Sequence, residues 1–98
     1  MLFVVLFTDN PERADARQRL MPDHLDFLEK HHPSIRAAGP LRDAASGEEA
    51  GGLWFVEAET ADAVRRLYES DPFWPTGLRK SIRVLEWSRV FADGHRLI

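Results

Sequence analysis

The chain has 98 residues, of which 44% are hydrophobic and 30% charged, so it has room for one globular domain and shows no sign of disorder. Thirteen basic and sixteen acidic residues give a net charge of -3, which argues against nucleic acid or a membrane surface as a partner. Cysteine is absent, which excludes disulfides, thiolate metal ligands and a cysteine nucleophile, and is compatible with a reducing compartment.

The first predicted element is a strand. Residues 2–7 form a continuous apolar run that is rich in β-branched and aromatic side chains. This run has no basic lead and is too short for a signal peptide or a membrane span, so we expect a cytoplasmic protein. Asp9, Asn10 and Pro11 end the strand, with Asn10 suited to cap a helix whose first turn contains Pro11.

Two helical segments are predicted next. Residues 12–20 are charged and compatible with a helix, until Met21 and Pro22 interrupt them. Because proline begins a helix more easily than it continues one, we expect a kink there and a new helix from Pro22 to about His32. One stripe of this helix, at spacing i, i+3, i+4 and i+7, consists of His24, Phe27, Leu28 and His31.

A second strand is predicted at residues 35–41, after Pro33 has closed the helix. Gly39 and Pro40 lie inside it, which indicates an edge strand or a bulge, since proline cannot donate to a β-ladder. Residues 42–52 are polar and contain glycine, so they predict a loop and the most mobile stretch of the chain. Residues 53–59 predict the third strand.

The last third of the chain predicts a helix and a final strand. Thr60 is a good N-cap for a helix that ends near Ser70, with a buried face formed by Ala63, Val64, Leu67 and Tyr68. Residues 73–80 are predicted as a loop, residues 82–91 as the last strand and residues 92–98 as a tail. The resulting order β-α-β-β-α-β predicts one α+β domain over residues 1–98, with a ferredoxin-like antiparallel sheet and two helices on one face.

The predicted strands are apolar on both of their faces. Residues 2–7 place no polar side chain on either face, and residues 53–56 and 82–91 also carry apolar side chains on both faces. Two short helices cover only one face, and an apolar patch as large as the other face is unusual on a soluble monomer. We therefore expect a homodimer that packs through this sheet face about a two-fold axis. The alternative is a face partly solvated and partly covered by the tail and by residues 73–80.

Few residues of the sequence point to chemistry. There is no glycine-rich phosphate loop, and His31 and His32, being adjacent, point in different directions on a helix. We therefore predict no metal and no cofactor. The remaining candidates are His24, in the first turn of its helix, and Asp71, which ends the last helix. Their spacing alone does not bring them together, and a boundary histidine and a helix stop are ordinary alternatives for them.

Several short motifs occur in a fixed order along nearly the whole chain. They are Met21-Pro22-Asp23-His24-Leu25 at the start of the helix, Ala38-Gly39-Pro40 in strand two, and Ser70-Asp71-Pro72-Phe73 after the last helix. In this order they resemble the YciI-like family, which is defined by a YCII-related domain. The resemblance implies a dimeric ferredoxin-like fold related to the dimeric α/β-barrel proteins, with a His–Asp pair in a pocket at positions 24 and 71. One branch of the family eliminates chloride from a chlorinated hydroquinone.

Such a pair is suited to general base catalysis. A carboxylate that accepts a hydrogen bond from one imidazole nitrogen fixes the tautomer and raises the basicity of the other nitrogen, which can then remove a proton from carbon or oxygen. The substrate-binding residues that we predict around it are Gly39, Pro40, Gly52, Phe73 and Trp74. Phe27 is a further candidate for the pocket wall, and Arg36, Arg42 or Arg79 for holding a substrate carboxylate. Gly52 stands where some members carry serine, so a hydroxyl contact available to them is missing here.

Two classes of function follow from these expectations. The first is a cofactor-free enzyme that binds a small-molecule ligand as its substrate, with His24 as general base and Asp71 orienting it. Its reaction is the elimination or isomerisation of a small organic compound, of which an aromatic ring is one candidate. The second is a non-catalytic dimer that binds a small ligand or serves as an accessory module. Cofactor-free oxygenation is a third and less supported hypothesis, since no residue points to oxygen chemistry.

Overall fold

The computed structural model describes residues 1–98 and contains one four-stranded antiparallel sheet in the order β2-β3-β1-β4. Its strands and helices are β1 Leu2–Asp9, α1 Ala14–Arg19, α2 Met21–Lys30, β2 Ile35–Arg42, β3 Glu49–Glu57, α3 Ala61–Glu69, β4 Arg79–Glu86, and the short pair β5 Phe91–Ala92 and β6 His95–Arg96. Single 3₁₀ turns lie at Pro11–Arg13 and Trp74–Thr76. The order and the antiparallel sheet confirm the predicted ferredoxin-like α+β class, the type that builds dimeric α/β-barrel proteins.

One face of the sheet forms the hydrophobic core with α2 and α3. In β1, alternate side chains point to this face, and Phe3, Val5 and Phe7 are all buried. Val5 lies directly across from Trp54 in β3, so the two side chains share this face. Phe27 from α2 packs into the same cluster. The chain therefore has its core on the helix side of the sheet.

The other face of the sheet is not covered by a helix. The alternate residues of β1 are only half-buried, and Leu85 and Trp87 at the end of β4 are exposed. The rings of Phe55 and Trp87 meet edge to face with centroids 5.1 Å apart. We call this apolar surface, which consists of Leu2, Val4, Leu6, Leu53, Phe55, Leu85 and Trp87, the open face.

Both predicted capping residues are used, but Asn10 caps the 3₁₀ turn Pro11–Arg13 and not α1, whereas Thr60 caps α3. The Asn10 side chain accepts a hydrogen bond from the Glu12 backbone N–H at 3.1 Å, and the Thr60 side chain accepts one from Ala63 at 3.1 Å. The expected interruption lies at Leu20, after which α2 begins at Met21, one residue before Pro22. The predicted stripe of α2 is confirmed, because His24 and Phe27 are buried and Leu28 and His31 are half-buried.

The predicted boundaries of the third strand were wrong. The strand starts at Glu49 rather than at residue 53 and ends at Glu57, so the loop after β2 covers only residues 43–48. Polar residues and glycines indicated a loop, but Gly51 adopts a φ of +88° and passes close to the backbone of β1 without leaving the sheet. Strand β2 is an edge strand with a register shift after Pro40, as expected from its proline.

The predicted bounds of the last strand, residues 82–91, were also wrong. Strand β4 starts at Arg79 and ends at Glu86. It ends there because Glu86 pairs with Phe3, and β1 begins at Leu2, so no residues of β1 are left to pair with residues after 86. The expected tail instead folds into a hairpin, with the turn at Asp93 and Gly94, which both have positive φ. An Asp-Gly pair with this backbone is the usual two-residue hairpin turn. None of the helices is long and apolar enough to cross a membrane.

Candidate active site

The centre of the candidate site is a hydrogen-bonded pair of buried side chains. His24, in the first turn of α2, and Asp71, just after α3, are 47 residues apart in the chain. The Nδ1–H of His24 donates to Oδ1 of Asp71 at 2.8 Å. The two residues are only 6% and 3% exposed. The structure therefore brings the two predicted catalytic residues together.

Both side chains are held in place by their surroundings. Asp71 Oδ1 also accepts a hydrogen bond from the Phe73 backbone N–H at 3.1 Å, which fixes the carboxylate in the turn after α3. The Phe73 ring stacks on the His24 ring, with centroids 4.1 Å apart and an angle of 19° between the planes. Because an ionised carboxylate only accepts hydrogen bonds, Nδ1 carries the proton, and the lone pair of the neutral imidazole is on Nε2.

Asp71 is part of a network of ion pairs with two arginines and a second carboxylate. The Nη2 atom of Arg79 lies 3.8 Å from Asp71 Oδ2, and its Nη1 lies 3.4 Å from Asp9 Oδ1. Arg17 binds the other oxygen of Asp9 at 2.5 Å. Burial lowers the pKa of the Arg79 guanidinium, while the carboxylates of Asp71 and Asp9 act in the opposite direction. The histidine is thus linked through two carboxylates to two arginines.

A cavity of about 90 Å³ lies against this network. Arg17, His24 and Arg79 line it, and the remaining wall is formed by Met21, Leu25, Leu28, Ala38, Gly39, Pro40, Gly52 and Trp54. The absence of a side chain at Gly52 keeps this wall open, since a Cβ there would lie 3.3 Å from the Gly39 carbonyl oxygen and 3.4 Å from Arg79 Nη1. Pockets for small ligands usually measure roughly 300–1,000 Å³, so the cavity admits one end of a ligand.

An open groove of about 1020 Å³ adjoins the cavity and shares Arg17 and Met21 with it. The groove runs between the start of α1 and the start of β3, and Asp9, Glu48 and Glu49 lie along it. A ligand larger than the cavity therefore has space to extend past Arg17 toward solvent.

The predicted substrate-binding residues divide into two groups. Gly39, Pro40 and Gly52 line the cavity beside His24. Phe73 is fully buried behind the imidazole and is not part of the wall. Trp74 packs against Tyr68, with ring centroids 5.4 Å apart, and is also outside the wall. The aromatic residues after Asp71 thus support the site from behind, because the 3₁₀ turn directs them toward α2 and α3.

Of the further candidates that were predicted for the pocket, some line the cavity and others do not. Phe27 belongs to the main core and does not reach the cavity, while Arg36 and Arg42 are exposed on the edge strand. Of the three arginines proposed to hold a carboxylate, only Arg79 lines the cavity.

Six residues of the cavity wall were not among the predicted site residues, namely Arg17, Met21, Leu25, Leu28, Ala38 and Trp54. Trp54 lies in a strand that is apolar on both faces, so the sequence pattern does not distinguish it from a core residue. Arg17 lies in a charged helix, where its pattern matches that of solvated residues. The signal that would have identified Arg17 is its position eight residues after Asp9, since the turn between β1 and α1 brings the two together.

Comparisons with known proteins agree with this fold. The model of the family described as YCII-related domain matches residues 1–88. Protein YciI of Escherichia coli O6:H1 is 26% identical over 98 residues, covering 93% of this chain and 100% of the relative, and Protein YciI of Shigella flexneri gives the same values.

A solved structure of an enzyme is also similar. It is 5-chloro-2-hydroxyhydroquinone dehydrochlorinase (TftG) from Burkholderia phenoliruptrix AC1100, in complex with 2,5-dihydroxybenzoquinone. The two chains are 32% identical and superpose with a TM-score of 0.78, over 90% of this chain and 94% of the other.

Proposed function

Because the chain belongs to the family of YCII-related domains, we propose that it is a small-molecule enzyme in which His24 is the general base and Asp71 orients it. The observation that carries this proposal is the buried 2.8 Å hydrogen bond between His24 Nδ1 and Asp71 Oδ1 beside a cavity. The carboxylate holds the proton on Nδ1 and stabilises the imidazolium that forms when Nε2 accepts a proton. No group outside the chain is needed for this step.

The reaction that we propose is a proton abstraction followed by elimination or isomerisation. Nε2 of His24 removes a proton from an acidic hydroxyl or carbon, and the electron pair left behind forms a new π bond. In an elimination, a leaving group such as chloride departs with its bonding pair from a tetrahedral carbon, which in a chlorinated hydroquinone is the protonated ring carbon of the keto tautomer. In an isomerisation, the imidazolium returns the proton at another atom. The similarity to a dehydrochlorinase supports the first course. The apolar wall formed by Leu28, Pro40 and Trp54 suits a planar ring.

Chloride release from 5-chloro-2-hydroxyhydroquinone tests this function. Under anaerobic conditions, which limit oxidation of the hydroquinone, we expect the wild-type protein to release chloride faster than buffer alone. A His24→Gln variant is expected to lose this activity by about a hundredfold or more, since a general base contributes roughly 10²–10⁴-fold to a rate. The measurement is ion chromatography of chloride over time.

The matched control is His32→Gln, which changes an exposed histidine just beyond the end of the same helix. This variant is expected to keep the wild-type rate. An unchanged rate in His24→Gln would contradict the role of His24, and a wild-type rate equal to that of buffer would contradict the dehydrochlorination. Binding of the compound without turnover would favour the second function, a non-catalytic ligand-binding module.

We also propose that a second copy of the chain covers the open face. Aromatic and aliphatic side chains from β1, β3 and β4 form a continuous apolar surface there, and Trp87 at its end is 45% exposed. A soluble protein seldom leaves such a surface in water, and the same face of an identical subunit complements it through a two-fold axis.

A Trp87→Glu variant is expected to turn the dimer into a monomer, because each subunit would bury a carboxylate without a partner in the interface. Light scattering at micromolar concentration should give twice the chain mass of 11.2 kDa for the wild-type protein and one chain mass for the variant. Leu25→Glu is the matched control, since Leu25 is 49% exposed but lies on α2, on the opposite side of the sheet. A wild-type mass of one chain would refute the dimer.

A further inference from the structure

Arg79 is buried and yet poorly paired. Its side chain is 4% exposed, and a guanidinium has five N–H donors. Only one of its hydrogen bonds is made, from Nη1 to Asp9 at 3.4 Å, and Nε has no partner at all. Buried charged donors without acceptors are costly, so such a group is usually retained for a reason other than stability.

The two carboxylates next to Arg79, those of Asp9 and Asp71, make their shortest contacts with groups other than Arg79. Asp9 binds Arg17 at 2.5 Å, while Asp71 accepts from His24 at 2.8 Å and from the Phe73 backbone at 3.1 Å. Arg79 is left 3.8 Å from the second oxygen of Asp71. Its guanidinium instead lies 4.1 Å from the centre of the Phe7 ring, which holds the planar group in place without satisfying its donors.

The two permanently charged side chains in the wall of the cavity, Arg17 and Arg79, are both positive. Its ionisable lining residues are Arg17, His24 and Arg79, and no carboxylate lines it. Gly52 leaves free the space next to Arg79 Nη1 that a side chain would narrow. A cationic ligand is repelled by such a wall, and an anionic oxygen accepts stronger hydrogen bonds from it than a neutral oxygen does.

We propose that Arg79, assisted by Arg17, binds an anionic oxygen of the ligand beside His24, so that the ligands of this protein are small organic anions such as phenolates, enolates or carboxylates. This inference rests on the proposed function, because it assigns the substrate class of the same site. The guanidinium groups hold the negative oxygen while Nε2 of His24 removes a proton elsewhere on the ligand. The anion then also stabilises the imidazolium that forms next to it.

Benzoate and benzamide test the inference, because they have nearly the same shape and differ in charge at neutral pH. Two-dimensional ¹H–¹⁵N NMR of the full chain follows the Arg79 Nε–H signal during titration with each compound. We expect benzoate to bind at least about tenfold more tightly than benzamide, since hydrogen bonds to a charged group are the stronger ones. Benzoate should shift the Arg79 signal.

Two variants complete the test. Arg79→Met is expected to weaken benzoate binding by about tenfold or more and to abolish the preference over benzamide. Arg36→Met is the matched control, because Arg36 is exposed on β2, and it should bind as the wild-type protein does. If Arg79→Met does not fold, Arg17→Met and the comparison of the two compounds on the wild-type protein decide the matter.

Equal binding of benzoate and benzamide would overturn the inference, as would an Arg79 signal that benzoate leaves unmoved or no binding of benzoate at all. Because the assay needs no turnover, it is independent of chloride release. A preference for benzoate in a protein that releases no chloride would leave the anion site in place and remove the proposed reaction. A His24-dependent release of chloride without a preference for benzoate would support the proposed reaction and overturn the anion site.

Discussion

An Asp71→Asn variant is expected to lose roughly 3 kcal/mol of unfolding free energy, because neutralising one partner of a buried charge pair leaves the other without compensation. Asp71 lies between the His24 imidazole and the Arg79 guanidinium, and both are buried with it. The amide retains an oxygen for the His24 and Phe73 N–H groups. It loses the negative charge that faces Arg79, so the effect comes from charge rather than from shape.

The same substitution is expected to slow the proposed reaction by about a hundredfold or more, since the imidazolium loses its counterion. Urea unfolding followed by tryptophan fluorescence measures the stability, and chloride release measures the rate. Asp26→Asn is the matched control, because Asp26 is an exposed carboxylate on the same helix as His24. An Asp71→Asn protein as stable as the Asp26→Asn protein would show that the buried carboxylate does not compensate Arg79.

A Gly51→Ala variant is expected to be destabilised by roughly 3 kcal/mol or more. Residue 51 has a φ of +88°, which costs a residue with a side chain about 1–2 kcal/mol. In addition, a Cβ would lie 1.8 Å from the Phe7 carbonyl oxygen, which belongs to the central strand and cannot move without breaking the β1–β3 ladder. The neighbouring Gly52 lines the cavity, so the distortion should also weaken ligand binding.

A Gly47→Ala variant separates the cost of the positive φ from the cost of the steric collision. Residue 47 has a φ of +76°, but a Cβ there meets no atom within 4 Å. We expect a loss of only about 1 kcal/mol for this variant, which contains the backbone cost without the collision. Urea unfolding of both variants gives the difference. Equal losses would mean that β1 and β3 can separate at Gly51 without cost.

The elements that the sequence predicted correctly are those encoded by local signals. The apolar run of β1, the cap at Thr60 and the stripe around His24 each depend on neighbours within one or two turns. The boundaries of β3 and β4 were predicted wrongly because they depend on pairing. Gly51 stays in the sheet because β1 is beside it, and β4 stops where β1 begins.

The candidate site could be predicted only in part for the same reason. His24 and Asp71 were identified through motifs, since nothing in their spacing indicates that the start of α2 lies against the turn after α3. Trp54 carried no signal that distinguished it from core residues, and the only signal for Arg17 was its spacing from Asp9. Phe73 and Trp74 follow Asp71 directly, but the 3₁₀ turn directs their rings away from the cavity wall.

The position of β1 in the middle of the sheet affects how the protein is made. Phe3 pairs with Val56 on one side and with Glu86 on the other, so β1 completes both of its ladders only after β4 has been synthesised. Until β4 has been synthesised, one edge of an apolar strand is unprotected, and closing a loop of this length is slow. The sheet is therefore completed only when β4 is available, and until then the open edge of β1 is a site for aggregation.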